Sequence, residues 1–191
     1  QRAFNSYQQG DKAEAMKALG HVLHLLQDSS VPAHTRNDIH VDGDSYEKFA
    51  AEQKTIDWQG QQLVELDRLA AYFDQLANYS NNNFYSTDTI GLTKYNAPQP
   101  DYLRFYQGHY YGVKKDEQGE YFISRKSGPS LLFANRYDIT IDTPIVLQDY
   151  WQRLSPKAVR YGAGIIHLFL NTLGEKFTTT QEEKSVEKPA I

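Results

Sequence analysis

His24, Asp28 and His34 stand at spacing H-x3-D-x5-H within His24-Leu25-Leu26-Gln27-Asp28-Ser29-Ser30-Val31-Pro32-Ala33-His34. His24 and Asp28 lie four residues apart in a strongly helical run, so they share one helix face with Cβ atoms about 6 Å apart. Pro32 breaks that helix, which allows His34 to fold back beside the same face. Two imidazoles and a carboxylate suit zinc, which takes nitrogen and carboxylate oxygen readily. Further donors follow at His40, Asp42, Asp44 and Glu47. A set this large can hold more than one ion, and Asp28 could bridge two of them. The plainer readings are a His–Asp hydrogen bond for the first pair and a helix-capping role for Glu47.

The elements that position these groups are mostly helical. Asp11 caps a helix over 11–28, with Glu14 completing a capping box. Met16, Leu19, Leu23 and Leu26 form its core stripe, and His21, His24 and Asp28 a polar stripe expected to be buried against a neighbour. Residues 29–43 carry turn chemistry in Ser29-Ser30, Pro32, Asn37-Asp38 and Asp42-Gly43. Asp44 starts a second helix running toward Lys54, again with a capping partner in Glu47. A third helix spans roughly 60–78, ended by Asn81-Asn82-Asn83.

A β-hairpin is expected from the alternation at 109–113 and 120–124 around Asp116-Glu117-Gln118-Gly119. Thr143-Pro144 begins a helix through Trp151, and Ser155-Pro156 begins the last. Ala158 to Leu170 is apolar almost all round, which predicts a buried central helix, with Gly162 and Gly164 permitting close approach. His167 within it reads as a core histidine and His109 as a surface one. The tail over 177–191 is rich in Thr, Glu and Lys and reads as disordered. The chain thus reads as one mainly α domain over 1–176 with a small β-hairpin insertion.

Composition narrows the function. The 191 residues carry a net charge of −4, with basic residues scattered, which argues against a duplex nucleic-acid binder. No apolar run is long enough for a membrane span. There is no Cys, so any metal must be held by His, Asp and Glu. Neither a phosphate-binding Gly loop nor a G-x-S-x-G elbow occurs, so a protein nucleophile is unsupported.

The H-x3-D-x5-H spacing, with Pro32 two residues before the last His, resembles the zinc-dependent phospholipase C family, which shares a helical bundle fold with the S1/P1 nucleases. Gly43-Asp44-Ser45-Tyr46-Glu47-Lys48-Phe49-Ala50-Ala51-Glu52 is similar to that family's metal-binding Glu in an aromatic-rich helix start. The likeness covers residues 19–54. It implies His24 and Asp28 on one metal, Asp28 bridging, and His34 with Glu47 on a second. The family's His four before the Glu is Gly43 here, and His40 or Asp44 would replace it. His40 is favoured because Asp44 is committed as a cap.

The family draws its remaining ligands and a general base from a segment before the H-x3-D helix, including the free N-terminal amine. Only 20 residues precede the match here, with no His among them. The chain therefore reads as the C-terminal part of a longer protein, or a member with a reduced site. The resemblance implies one to three zinc ions, phosphodiester hydrolysis with phospholipids as substrates, and a secreted or periplasmic location. A single-strand nuclease of the same fold and a non-catalytic, metal-stabilised binding domain are the alternatives.

Overall fold

In a computed structural model, residues 1–38, 43–57, 61–95, 97–127 and 139–186 are described, with side chains to residue 174. The molecule is mainly helical with a small antiparallel sheet. A short helix α1 (Arg2–Gln8) precedes α2 (Lys12–Asp28). Asp11 caps α2 by accepting from the Glu14 amide at 3.0 Å, as its sequence predicts. Glu14 does not complete the box, because the Asp11 amide donates to the Ser6 carbonyl at 2.9 Å and Arg2 of α1 takes the Glu14 carboxylate at 2.6 Å. Ala15, Ala18, Leu19 and Leu26 form the buried face of α2, whereas Met16, expected inside, is exposed.

Pro32 occupies the first turn of α3 (Pro32–Thr35), where its missing N–H costs nothing. Asp44 caps α4 (Ser45–Glu52), accepting from the Tyr46 and Glu47 amides at 2.9 and 3.0 Å. The third long helix is displaced from its expected place: α5 runs over Leu69–Asn83, so the asparagines lie in its last turn. Residues 61–66 are non-helical because other partners hold their backbone. The Tyr72 hydroxyl accepts from the Leu66 amide at 2.9 Å, and the Val64 amide donates to the Arg160 carbonyl at 3.2 Å.

The hairpin is present and extended into a four-stranded sheet in the order β1 (Tyr102–Tyr106), β2 (His109–Asp116), β3 (Gly119–Lys126) and β4 (Ile139–Thr140). Asp116 pairs with Gly119, leaving Glu117-Gln118 as a two-residue turn. Gln107 and Gly108, both at positive φ, make the type I′ turn that joins β1 to β2.

The two expected C-terminal helices are one, α6 (Pro144–Val186), with Pro156 inside it. Pro156 removes a single ladder bond, the one to the Gln152 carbonyl. The flanking turns continue because they pack into two cores. In the first, Val146, Tyr150 and Leu154 of α6 meet Tyr121 and Ile123 of the sheet and Phe84. In the second, Ile165 meets Leu19, Leu26, Tyr72 and Leu76. The Ala158–Leu170 stretch is accordingly buried on one side only: Val159, Ile166 and Leu170 are exposed. Among the described residues no helix is long and apolar enough to cross a membrane.

Candidate metal centre

Two His–carboxylate pairs come from the predicted set. On α2, His24 Nε2 lies 3.9 Å from Asp28 Oδ2, as the i,i+4 spacing dictates. The surroundings differ from expectation. His21 and His24 lie in solvent, the His24 side chain 73% exposed, because α2 buries only its Ala/Leu face. Of the polar stripe only Asp28, at the helix end, is half-buried.

The second pair is tertiary. His34 Nε2 donates to Glu47 Oε1 at 3.0 Å, across thirteen residues and between α3 and α4. Each partner is held by the residue beside it. Pro32 and Ala33 are buried, and the Ser80 hydroxyl of α5 donates to the Ser30 carbonyl at 3.1 Å. Tyr46 is buried against Tyr150, with ring centroids 6.1 Å apart, and Phe49 and Ala50 pack on the same core. With Tyr46 turned inward, Glu47 falls on the adjoining side of α4, toward His34.

The chain between them is anchored by residues that motif reading did not single out. Arg36 is 3% exposed and donates to the Asn81 carbonyl at 2.8 Å, the Phe84 carbonyl at 3.0 Å and Thr89 Oγ1 at 3.2 Å. Burial lowers its pKa from the usual arginine value. Two residues on, Asp38 accepts from the Ser86 hydroxyl. Both contacts clamp the segment after His34 onto the end of α5. The only sequence signal for them is the polar run Arg36-Asn37-Asp38, which resembles an ordinary turn.

His40 and Asp42 lie outside the described residues. Asp44 is buried and committed to capping α4, as expected. His167, read as a core histidine, is instead partly exposed beside Asn171 and Glu65. Among the described residues no three His, Asp or Glu side chains gather closely enough to hold an ion.

The donor types of each pair suit zinc, which on binding would displace the proton now lying between His34 Nε2 and Glu47 Oε1. Two ligands of one tetrahedral zinc, each bonded at 2.0–2.2 Å, lie about 3.3 Å apart. The His34–Glu47 separation of 3.0 Å and the His24–Asp28 separation of 3.9 Å bracket that value. No family model, curated protein or solved structure matches this chain.

Proposed function

We propose that the chain is a zinc-dependent phosphodiester hydrolase of the phospholipase C type, with phospholipids as the substrate class. The observation that carries this reading is the His34–Glu47 pair, two good zinc ligands brought to 3.0 Å by separate helices. His34 and Glu47, with His40, would hold one metal, and His24 with Asp28 another. Bound zinc would supply a water of near-neutral pKa and offset negative charge on the phosphoryl group. The protein's part is orientation. Pro32, Ala33 and Arg36 fix the backbone around His34, while Asp44 and Tyr46 fix Glu47. The helical bundle type and an exported location belong to the same proposal.

A single-strand nuclease is the second reading. Tyr102, Phe105 and Tyr106 are exposed on β1, where flat rings offer stacking platforms for unpaired bases.

Zinc content per chain, followed by hydrolysis of a phosphatidylcholine analogue and of single-stranded DNA, tests these readings. His34→Ala should lose bound zinc and at least about tenfold in affinity, as for loss of a ligand or its support. His24→Ala should lose less, given the exposure of its pair. Zinc bound equally by wild type and His34→Ala would refute the site. Cleavage of DNA alone would select the nuclease, and zinc binding without either activity would select a metal-stabilised module.

A further inference from the structure

A second concave site lies beyond the C-terminal end of α4, the end away from Glu47. It is a cavity of about 440 Å³, within the range of small-molecule sites. One wall is a stripe of α6: Gln148, Trp151, Gln152 and Ser155 at i, i+3, i+4 and i+7, which places them on one helix face. The chain after α4 supplies Gln53, Thr55 and Asp57 opposite, and the β2–β3 turn supplies Gln118. Gln61 closes the set. The lining is therefore dominated by side-chain amides, each offering two donors and one acceptor oxygen.

Gln53 is already bonded, its side-chain amide donating to the Phe49 carbonyl at 3.1 Å, but one buried acceptor of the lining has no protein partner among the described residues. The Gln61 Oε1 atom is buried there without a hydrogen bond. Such an acceptor costs free energy unless water or a ligand satisfies it. Pro156, also in the lining, has no N–H, so the Gln152 carbonyl lacks its usual i+4 donor. Trp151 is pinned by its indole N–H, which donates to the Thr55 carbonyl at 3.2 Å. The ring is half-buried, packing in part against the sheet core, and contributes an apolar surface among the amides of the lining.

Charge narrows the ligand. Arg153, the cation of the described lining, is already committed. Its Nε donates to Asp116 Oδ2 at 3.0 Å, and its guanidinium lies 5.0 Å from the centre of the Tyr121 ring. Asp57 adds a carboxylate. With the Arg153 charge paired to Asp116 and Asp57 adding a negative one, the described lining has no excess positive charge to favour a phosphate or sulfate group, and a lipid tail would strand the amides. A neutral molecule with many hydroxyls suits both features: each hydroxyl donates and accepts, and the C–H face of a sugar ring packs on an indole. We propose that this cavity binds a neutral sugar or sugar-like polyol, with Gln148, Gln152, Gln118 and Gln61 pairing its hydroxyls and Trp151 stacking on its ring.

Saturation-transfer NMR on the full chain tests this. The probes are glucose, galactose, mannose, N-acetylglucosamine, myo-inositol and trisaccharides of the hexoses, with a Gly-Gln-Gly peptide and phosphocholine as comparators. At least one sugar or polyol should bind. A free monosaccharide, a glycan chain and an inositol head group are told apart by which arm responds. Gln152→Leu and Gln118→Leu change positions on separate elements, so loss of fold in one leaves the other to judge. Each should weaken binding about tenfold, the worth of one or two hydrogen bonds, and Trp151→Leu should weaken it as much. Silence from every sugar up to about 10 mM, binding of a comparator alone, or binding unchanged in the folded variants would overturn the proposal. Zinc content does not enter the readout, so failure here leaves the metal reading untouched.

Discussion

Arg36 shows how much one side chain can contribute without touching the proposed metal ligands. Its buried guanidinium donates to two backbone carbonyls and a hydroxyl. Replacing it with Met would leave those acceptors stranded. Hydrogen bonds to charged groups are each worth about 1.5–3 kcal/mol, offset in part by the cost of burying the charge, so Arg36→Met should destabilise by at least about 3 kcal/mol in urea denaturation. Arg36→Lys should recover only part of that, since an ammonium cannot reach three acceptors with the same fork. Asp149 has the opposite character. Burial pushes its carboxyl above the usual value, although its Oδ2 accepts from the Phe122 amide at 2.6 Å. The native state therefore holds the Asp149 proton to higher pH than the unfolded chain. The group's contribution to stability falls as pH rises through that window, starting from the ordinary value of about 3.9. Asn at this position keeps an acceptor and removes the ionisation. Asp149→Asn should be more stable than wild type at pH 7, and the gap should close as pH drops below the ordinary carboxylate range. A gap independent of pH would mean that the charge is not what burial penalises.

At the scale of elements, α6 depends on glycine where it crosses its neighbours. A methyl group on Gly164 would overlap the Val64 carbonyl oxygen and meet Tyr72 Cε1 at 2.6 Å. Tyr72 cannot swing away, because its hydroxyl holds Leu66 and Val64. Gly164→Ala should cost about 1–3 kcal/mol or more through overpacking. Gly20, in the middle of α2, has no atom within 4 Å of such a methyl. There the lost backbone freedom of the unfolded chain dominates, and Gly20→Ala should stabilise by about 0.5–1 kcal/mol. Thermal melts of the two variants should move in opposite directions. The same tyrosine explains the displaced start of α5. Residues 61–66 could propagate a helix on local propensity, but in the fold Tyr72 and Arg160 hold that backbone in a non-helical path beside α6.

For the whole molecule, the central fact is that one helix serves two cores. Val146, Tyr150 and Leu154 pack on the sheet, and Ile165 packs on α2 and α5 further along the same rod. Phe84 follows directly on α5 and enters the sheet core, a second covalent link between the two. Damage to either core should therefore be felt by both. Leu26→Ala in the helical core and Ile123→Ala in the sheet core should each cost about 2–5 kcal/mol. Circular dichroism and tryptophan fluorescence should report one coincident transition in each variant. Separated transitions in the Ile123 variant would show that the sheet melts by itself.

Local features are legible in the amino-acid sequence alone. The caps Asp11 and Asp44, the hairpin, and the helical turn that places His24 beside Asp28 each depend on residues within four or so positions, where sequence spacing is spatial spacing. The nearness of His34 to Glu47 cannot be read from residue spacing, because thirteen residues and a turn separate them. Tertiary contacts decided the rest. They left the His21–His24 face in solvent, set where α5 begins, made α6 continuous through Pro156, and gave Arg36 its buried acceptors. They also assembled the glutamine cavity, whose walls come from segments that are distant in the chain. Each of these outcomes depends on which faces meet across the two cores, and side-chain periodicity marks an apolar face without naming the surface that will cover it.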